Sequence, residues 1–162
     1  MDNFPRFIRR QCDIIPTMTK IPVKIKLFDP SLPLPEYQTS GAAGFDLYCR
    51  LDVTIDPGAS VMLPTNVAVE IPAGYWLMLA VRSSLHKRGL MPVNGVGVID
   101  TDYCGNEDEI RLLLHNYTDQ SVTIKRGERL AQGILMPRLT ADFTPVDYLC
   151  ERNRGGFGTT GL

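Results

Sequence analysis

The chain has 162 residues and a mass of 18.0 kDa, enough for one cored domain and too little for two. Hydrophobic residues make up 44% and charged residues 22%, with a mean hydropathy of −0.05, which excludes both a disordered chain and a membrane-inserted one. Seventeen Lys and Arg against eighteen Asp and Glu leave a net charge of −1, so no broad basic face is offered to nucleic acid and any bound phosphate must meet a local cluster.

Residues 1–20 contain basic residues but no apolar stretch long enough for a secretory signal, and they read as an extension. Met18 opens a segment that reads as the head of the domain, so residues 1–17 are assigned no function. The four cysteines, Cys12, Cys49, Cys104 and Cys150, are far apart and form no CxxC pair. They spell neither a zinc site nor a redox motif, and reduced thiols in a cytoplasmic protein are expected. Glycine and proline, 14 and 12 residues, interrupt nearly every segment before a long helix could form. Between them lie short runs rich in β-branched or alternating residues, at 23–28, 53–55, 60–63, 67–71, 75–81, 110–114, 122–124 and 130–136. Turn residues join them, as in Asp56-Pro57-Gly58, Pro72-Ala73-Gly74 and Arg126-Gly127-Glu128. The spacing predicts an all-β sandwich, barrel or jelly roll over residues 21–150. Ser83 to Gly89 predicts one short helix with a serine cap and a glycine stop. Residues 151–162 form a glycine-rich tail.

Five polar, glycine-bearing segments break the strand pattern where a two-residue turn would suffice. They are GAAGFDL at 41–47, Arg82-Ser83-Ser84, NGVGVIDTDYCG at 94–105, RGERLAQ at 126–132, and the tail segment at 152–161. Each has a plain structural reading. Asp46 or Asp100 would bond its own turn backbone, Arg82 would join a surface ion pair, and Tyr103 would pack in the core. Gln132 would be a buried amide meeting the backbone, and the tail would be a disordered end. Together, however, glycine-loop N–H groups, two arginines and several hydroxyls supply the donors and positive charge that a polyphosphate needs. GxxxxGK(S/T) is absent, so this is no P-loop. The carboxylates then fit as water activator and magnesium partner in hydrolysis of a phosphate chain.

In this order and at these separations, AAGFDLY, RSS, NGVGVIDTDYCG, RGERLAQ and RGGFGTTG resemble the five motifs of the homotrimeric dUTP diphosphatases, the dUTPases. The resemblance runs from about Ile21 to the C-terminus. It implies a jelly-roll-like β fold of the β-clip type with a flexible C-terminal arm, and a homotrimer with shared active sites. The implied reaction is hydrolysis of dUTP to dUMP and pyrophosphate, with Mg2+ on the phosphates and water attacking the α-phosphorus. Such an activity limits uracil incorporation into DNA and supplies dUMP for thymidylate synthesis. By position, the resemblance makes Asp100 the residue that activates water and Tyr103 the ring that packs on deoxyribose and excludes a 2′-hydroxyl. Asn94, Gly97, Val98 and Ile99 would line the uracil. Arg82, Ser83, Ser84 and Gln132 would bind phosphate oxygens, with Asp46 near the magnesium through water or orienting Arg82. Arg152, Phe157, Gly158, Thr159 and Thr160 would form an arm that closes over the substrate.

The sequence departs from the family pattern at Val81 and Ser84, where proline and glycine are usual, at Asn153, and most clearly at Asn106-Glu107-Asp108-Glu109, which lengthens the hairpin after Tyr103 by about three residues. Arg82-Ser83-Ser84-Leu85 followed by Gly89-Leu90 also resembles the serine-arginine segment of the dCTP deaminases. Leu113 stands where those enzymes need a glutamate acid/base, and leucine cannot shuttle protons; residues 107–109 are the only spare acids. A regulatory protein that keeps the pocket without turnover is the alternative of a different class.

Overall fold

The structure, a computed structural model, describes residues 20–149 together with Asn153 and Gly155. Eleven strands follow in chain order: β1 (Lys24–Leu27), β2 (Phe45–Tyr48), β3 (Val53–Ile55), β4 (Ser60–Pro64), β5 (Val67–Glu70), β6 (Tyr75–Val81), β7 (Leu90–Pro92), β8 (Gly97–Ile99), β9 (Arg111–Asn116), β10 (Val122–Ile124) and β11 (Arg129–Pro137). A single 3-10 turn, Leu85–Arg88, separates β6 from β7. All eight strands expected from the sequence are present, and β2, β7 and β8 are additional. No helix among the described residues is long and apolar enough to cross a membrane.

The strands make four antiparallel sheets, β1-β5, β3-β10, β2-β11-β6-β8 and β4-β9-β7. This is the jelly-roll-like β architecture that the resemblance implied, one of the three that the spacing left open. Every sheet sends side chains to one core. Leu47, Ile55, Leu63, Leu77, Leu90, Leu114 and Ile124 are each at most 2% exposed there. Burying a side chain of this size contributes about 1.5–3 kcal/mol. On β9 the pattern is strictly alternate, with Leu112, Leu114 and Asn116 inside, as a half-buried strand requires. The turn glycines Gly58, Gly74 and Gly127 all adopt positive φ, between 69° and 85°, where a Cβ would be strained.

The segment after β6 departs from expectation. Ser84 sits at the N-cap with φ −78° and ψ −10°, already helical, so its hydroxyl is not aimed at the first turn and makes no cap bond. The turn is therefore 3-10 and four residues long. Gly89 does end it, in the left-handed region at φ 71°, donating its N–H to the His86 carbonyl.

Two loops are tied to this frame by Asn66, which links β4 to β5 at φ 72°. Its Oδ1 accepts from the Asp29 N–H at 2.7 Å, and its Nδ2 donates to the Asp29 carbonyl at 3.1 Å. Asp29 in turn accepts from the Ser31 hydroxyl and from Arg126, and these partners hold its carboxyl down to about 2. A carboxyl depressed in the folded state stabilises the fold above its unfolded value of 3.8, and that contribution is lost as pH falls towards about 2. The melting temperature should therefore fall between pH 4 and pH 2, and Asp29→Asn should show a shallower fall across that window in scanning calorimetry.

Candidate active site

The first cluster forms where β2, β11 and the end of β6 meet. Gln132 on β11 lies opposite Asp46 on β2 and Ala80 on β6. Arg82 follows β6 and is held there by its N–H, which donates to the Leu130 carbonyl at 2.9 Å. Asp46 is buried, and its Oδ2 accepts from Arg129 Nη1 at 3.1 Å and pairs with Arg82 Nη1 at 3.4 Å. One carboxylate thus orients two half-exposed guanidiniums and leaves a net positive charge at the surface. Ser83 and Ser84 lie beside them, both exposed. Gly44 makes the close approach possible: a Cβ there would sit 2.9 Å from Ile134 and 3.1 Å from Gln132 Oε1. Forked N–H donors and hydroxyls of this kind are suited to an anion.

Arg129 was not among the site residues expected from the sequence, and strand parity explains why. Three positions from Gln132, it belongs on the opposite face of a regular strand. The register shifts between Arg129 and Ala131, and this bulge turns the side chain to Asp46.

The second cluster is an open cleft of about 370 Å³ lined by Met62, Val98, Ile99, Asp100, Tyr103 and Arg111. Tyr103 is 39% exposed rather than core, and its hydroxyl donates to the Glu109 carbonyl at 3.0 Å. The Asp100 carbonyl accepts the Tyr103 N–H at 3.3 Å, while its exposed carboxylate has no hydrogen-bond or ion-pair partner among the described residues. Val98 is 59% exposed on β8, which among the described residues pairs only with β6, so the outer edge of β8 presents main-chain donors and acceptors. Gly97 begins that strand against Leu79, and Asn94 stands exposed in the turn before it.

The two clusters do not meet within one chain. Ile99 lies opposite Leu77, whereas Arg82 follows the far end of the same strand, about 17 Å away at 3.3 Å per residue. Arg152, Phe157, Gly158, Thr159 and Thr160 fall outside the described residues. Leu113 is half-buried on β9 opposite Met62. The neighbouring acids are committed elsewhere: Glu109 is buried against Arg50, Asp108 accepts the Gly105 N–H at 2.7 Å, and Glu107 pairs with Lys26 at 3.6 Å. The expected ion pair of Arg82 is present, and its partner is Asp46.

The dUTPase family model matches residues 31–161. Deoxyuridine 5′-triphosphate nucleotidohydrolases from Nautilia profundicola and Desulfotalea psychrophila are 42% and 47% identical, over 86% and 82% of this chain and 98% and 89% of theirs. A dUTPase crystal structure from Streptococcus mutans superposes with a TM-score of 0.67 at 39% identity, covering 74% of this chain and 98% of that one. A mutant of the Staphylococcus bacteriophage 80alpha dUTPase with dUpNHpp gives 0.76 at 25% identity, covering 88% and 100%. Fold, site and relatives together define an all-β nucleotide hydrolase. The chain belongs to the dUTPase family.

Asp46→Asn would leave two guanidiniums on a neutral amide. Loss of a charged hydrogen-bond acceptor of this kind costs about 1.5–3 kcal/mol, and urea denaturation should show a lower midpoint with an unchanged slope.

Proposed function

We propose that this chain hydrolyses dUTP to dUMP and pyrophosphate at a site that three copies of the chain build together. The observation that carries the reading is the cleft, which holds side by side an exposed aromatic ring and, among the described residues, a carboxylate and a strand edge that are both without a partner. In this reading the main-chain groups of Val98 and Ile99, with Asn94 and Gly97, read the uracil edge, and Tyr103 packs on the deoxyribose. Asp100 holds a water against the α-phosphorus and takes its proton as the new P–O bond forms. The bond to the bridging oxygen breaks, and pyrophosphate leaves with the electron pair.

The phosphates lie on Arg82, Ser83, Ser84 and Gln132, with Arg129 added by its pairing to Asp46. Since about 17 Å of strand separates this cradle from Asp100, the two come from different copies. Leu139, Phe143, Tyr148 and Leu149, all strongly exposed, fit a segment that lies against another chain. The arm residues Arg152, Phe157, Gly158, Thr159 and Thr160 would close over the substrate and exclude water.

Among the described residues no group of three or more His, Cys, Asp or Glu side chains is placed to hold a metal ion. Asp46 Oδ2 is already taken by two guanidiniums. Magnesium therefore fits as an ion carried by the phosphate chain, which keeps most of its waters, with Asp46 acting through water or through Arg82. When bound, it would supply charge neutralisation along the triphosphate.

The test is pyrophosphate release with Mg2+ from dUTP, dCTP, dTTP and UTP, with the base identified in each product. Release of dUMP from dUTP alone is expected; ammonia from dCTP would overturn the reading. Asp100→Asn should lower kcat about 10²–10⁴-fold while calorimetry still records dUTP binding. Co-expressed Asp100→Asn and Arg82→Ala chains, each inactive alone, should recover activity, because statistical mixing restores about one shared site in four. Failure of any mixture to recover activity would place both residues in one chain's site.

A further inference from the structure

Apart from the two clusters, the most deeply buried charge among the described residues is Glu109, whose side chain is 3% exposed. Its Oε1 and Oε2 accept from Arg50 Nε and Nη2, both at 2.8 Å, and Oε1 also accepts from the Asn66 N–H at 2.9 Å. The next residue is held as firmly. The Ile110 N–H donates to the Val67 carbonyl at 2.8 Å, and its carbonyl accepts from Thr65 through both the main chain and the hydroxyl. Residues 109–110 are thus an anchored point where the loop from Asp100 returns to the sheets.

Tyr103 is fastened to that point, because its hydroxyl donates to the Glu109 carbonyl at 3.0 Å. Glu109 is the last residue of the lengthened stretch, whose base Asp108 closes by bonding Gly105 through both carboxylate and main chain, while Asn106 and Glu107 are exposed. Burying an ion pair commonly gains little net stability, since desolvation offsets the attraction. What this pair does hold is a position, at the root of one wall of the cleft.

We propose that Glu109, gripped by Arg50, is the positioning residue for Tyr103, and that through this ring it sets the preference for deoxyribose over ribose. The inference rests on the reading of Tyr103 as the wall against the sugar. The experiment compares kcat/KM for dUTP and UTP, beginning with the wild-type chain. Absence of dUTP turnover there would sink the proposed function and this inference with it, whereas an active wild type isolates the inference. Glu109→Gln removes the charge and keeps the shape; Tyr103→Phe removes only the hydroxyl. Each should lower the dUTP/UTP ratio about tenfold, given the sensitivity of reaction rates to small misplacements. The double variant should fall no further than the worse single variant, because both cut the same connection. Glu107→Ala, outside it, should leave the ratio unchanged. Additive losses in the double variant, an unchanged ratio in Tyr103→Phe, or an equal fall in Glu107→Ala would overturn the proposal. Tyr103→Phe leaves the buried pair intact and keeps the comparison decisive if Glu109→Gln does not fold.

Discussion

The ladder between β6 and β11 is the constraint on which the rest depends. It pairs every residue from Ala131 to Pro137 with one from Tyr75 to Val81. Its register decides where each functional group emerges. At one end, Gln132 comes level with Asp46 and Arg82 leaves the strand; towards the other, Leu77 meets Ile99 and delivers Asp100 to solvent. A slip of one residue would reverse the faces of the whole strand. The distance between the proposed phosphate cradle and the carboxylate proposed to activate water is thus a property of the sheet, and the proposed sharing of the site among copies follows from it.

Three carboxylates show how one side-chain chemistry takes different roles through its neighbours. Asp46 is buried and shared by two guanidiniums, so it organises positive charge. Glu109 is buried against a single bidentate arginine and holds a loop. Asp100 is exposed with no partner among the described residues, and both its oxygens keep lone pairs free for a water. The two arginine-bound acids are instead held in place by their partners.

Local pattern carried much of this into the sequence. The runs at 75–81 and 122–124 coincide with β6 and β10 end to end, because alternation and flanking turns are local signals. The turn glycines were legible for the same reason. β7 and β8 were not: β8 lies inside the glycine-bearing segment 94–105, β7 directly follows the glycine stop at Gly89, and each is defined by a partner elsewhere in the chain. The ordered motifs put Asp46, Arg82 and Gln132 in one group, and the sheet places them beside one another. Arg129 was missed because a bulge leaves no mark on composition. The burial of Glu109 was missed because its arginine lies 59 residues away in sequence. The serine cap failed on backbone angles, which a serine's identity does not report.

The place of β11 within its sheet has a consequence for how the chain is made. During synthesis from the N-terminus, β1 and β5 can pair once residue 70 has emerged, β6 and β8 once residue 99 has, and β4, β9 and β7 by residue 116. The last of the described strands to leave the ribosome is nevertheless an interior one, between β2 and β6. Until it arrives, two strand edges lie open, and open edges are templates for pairing with other chains. Asp46 likewise waits for Arg129, 83 residues later, before its charge is matched. The nascent protein is therefore most prone to misassembly before β11 emerges, and insertion of that strand both closes the sheet and completes the proposed phosphate cradle in one step.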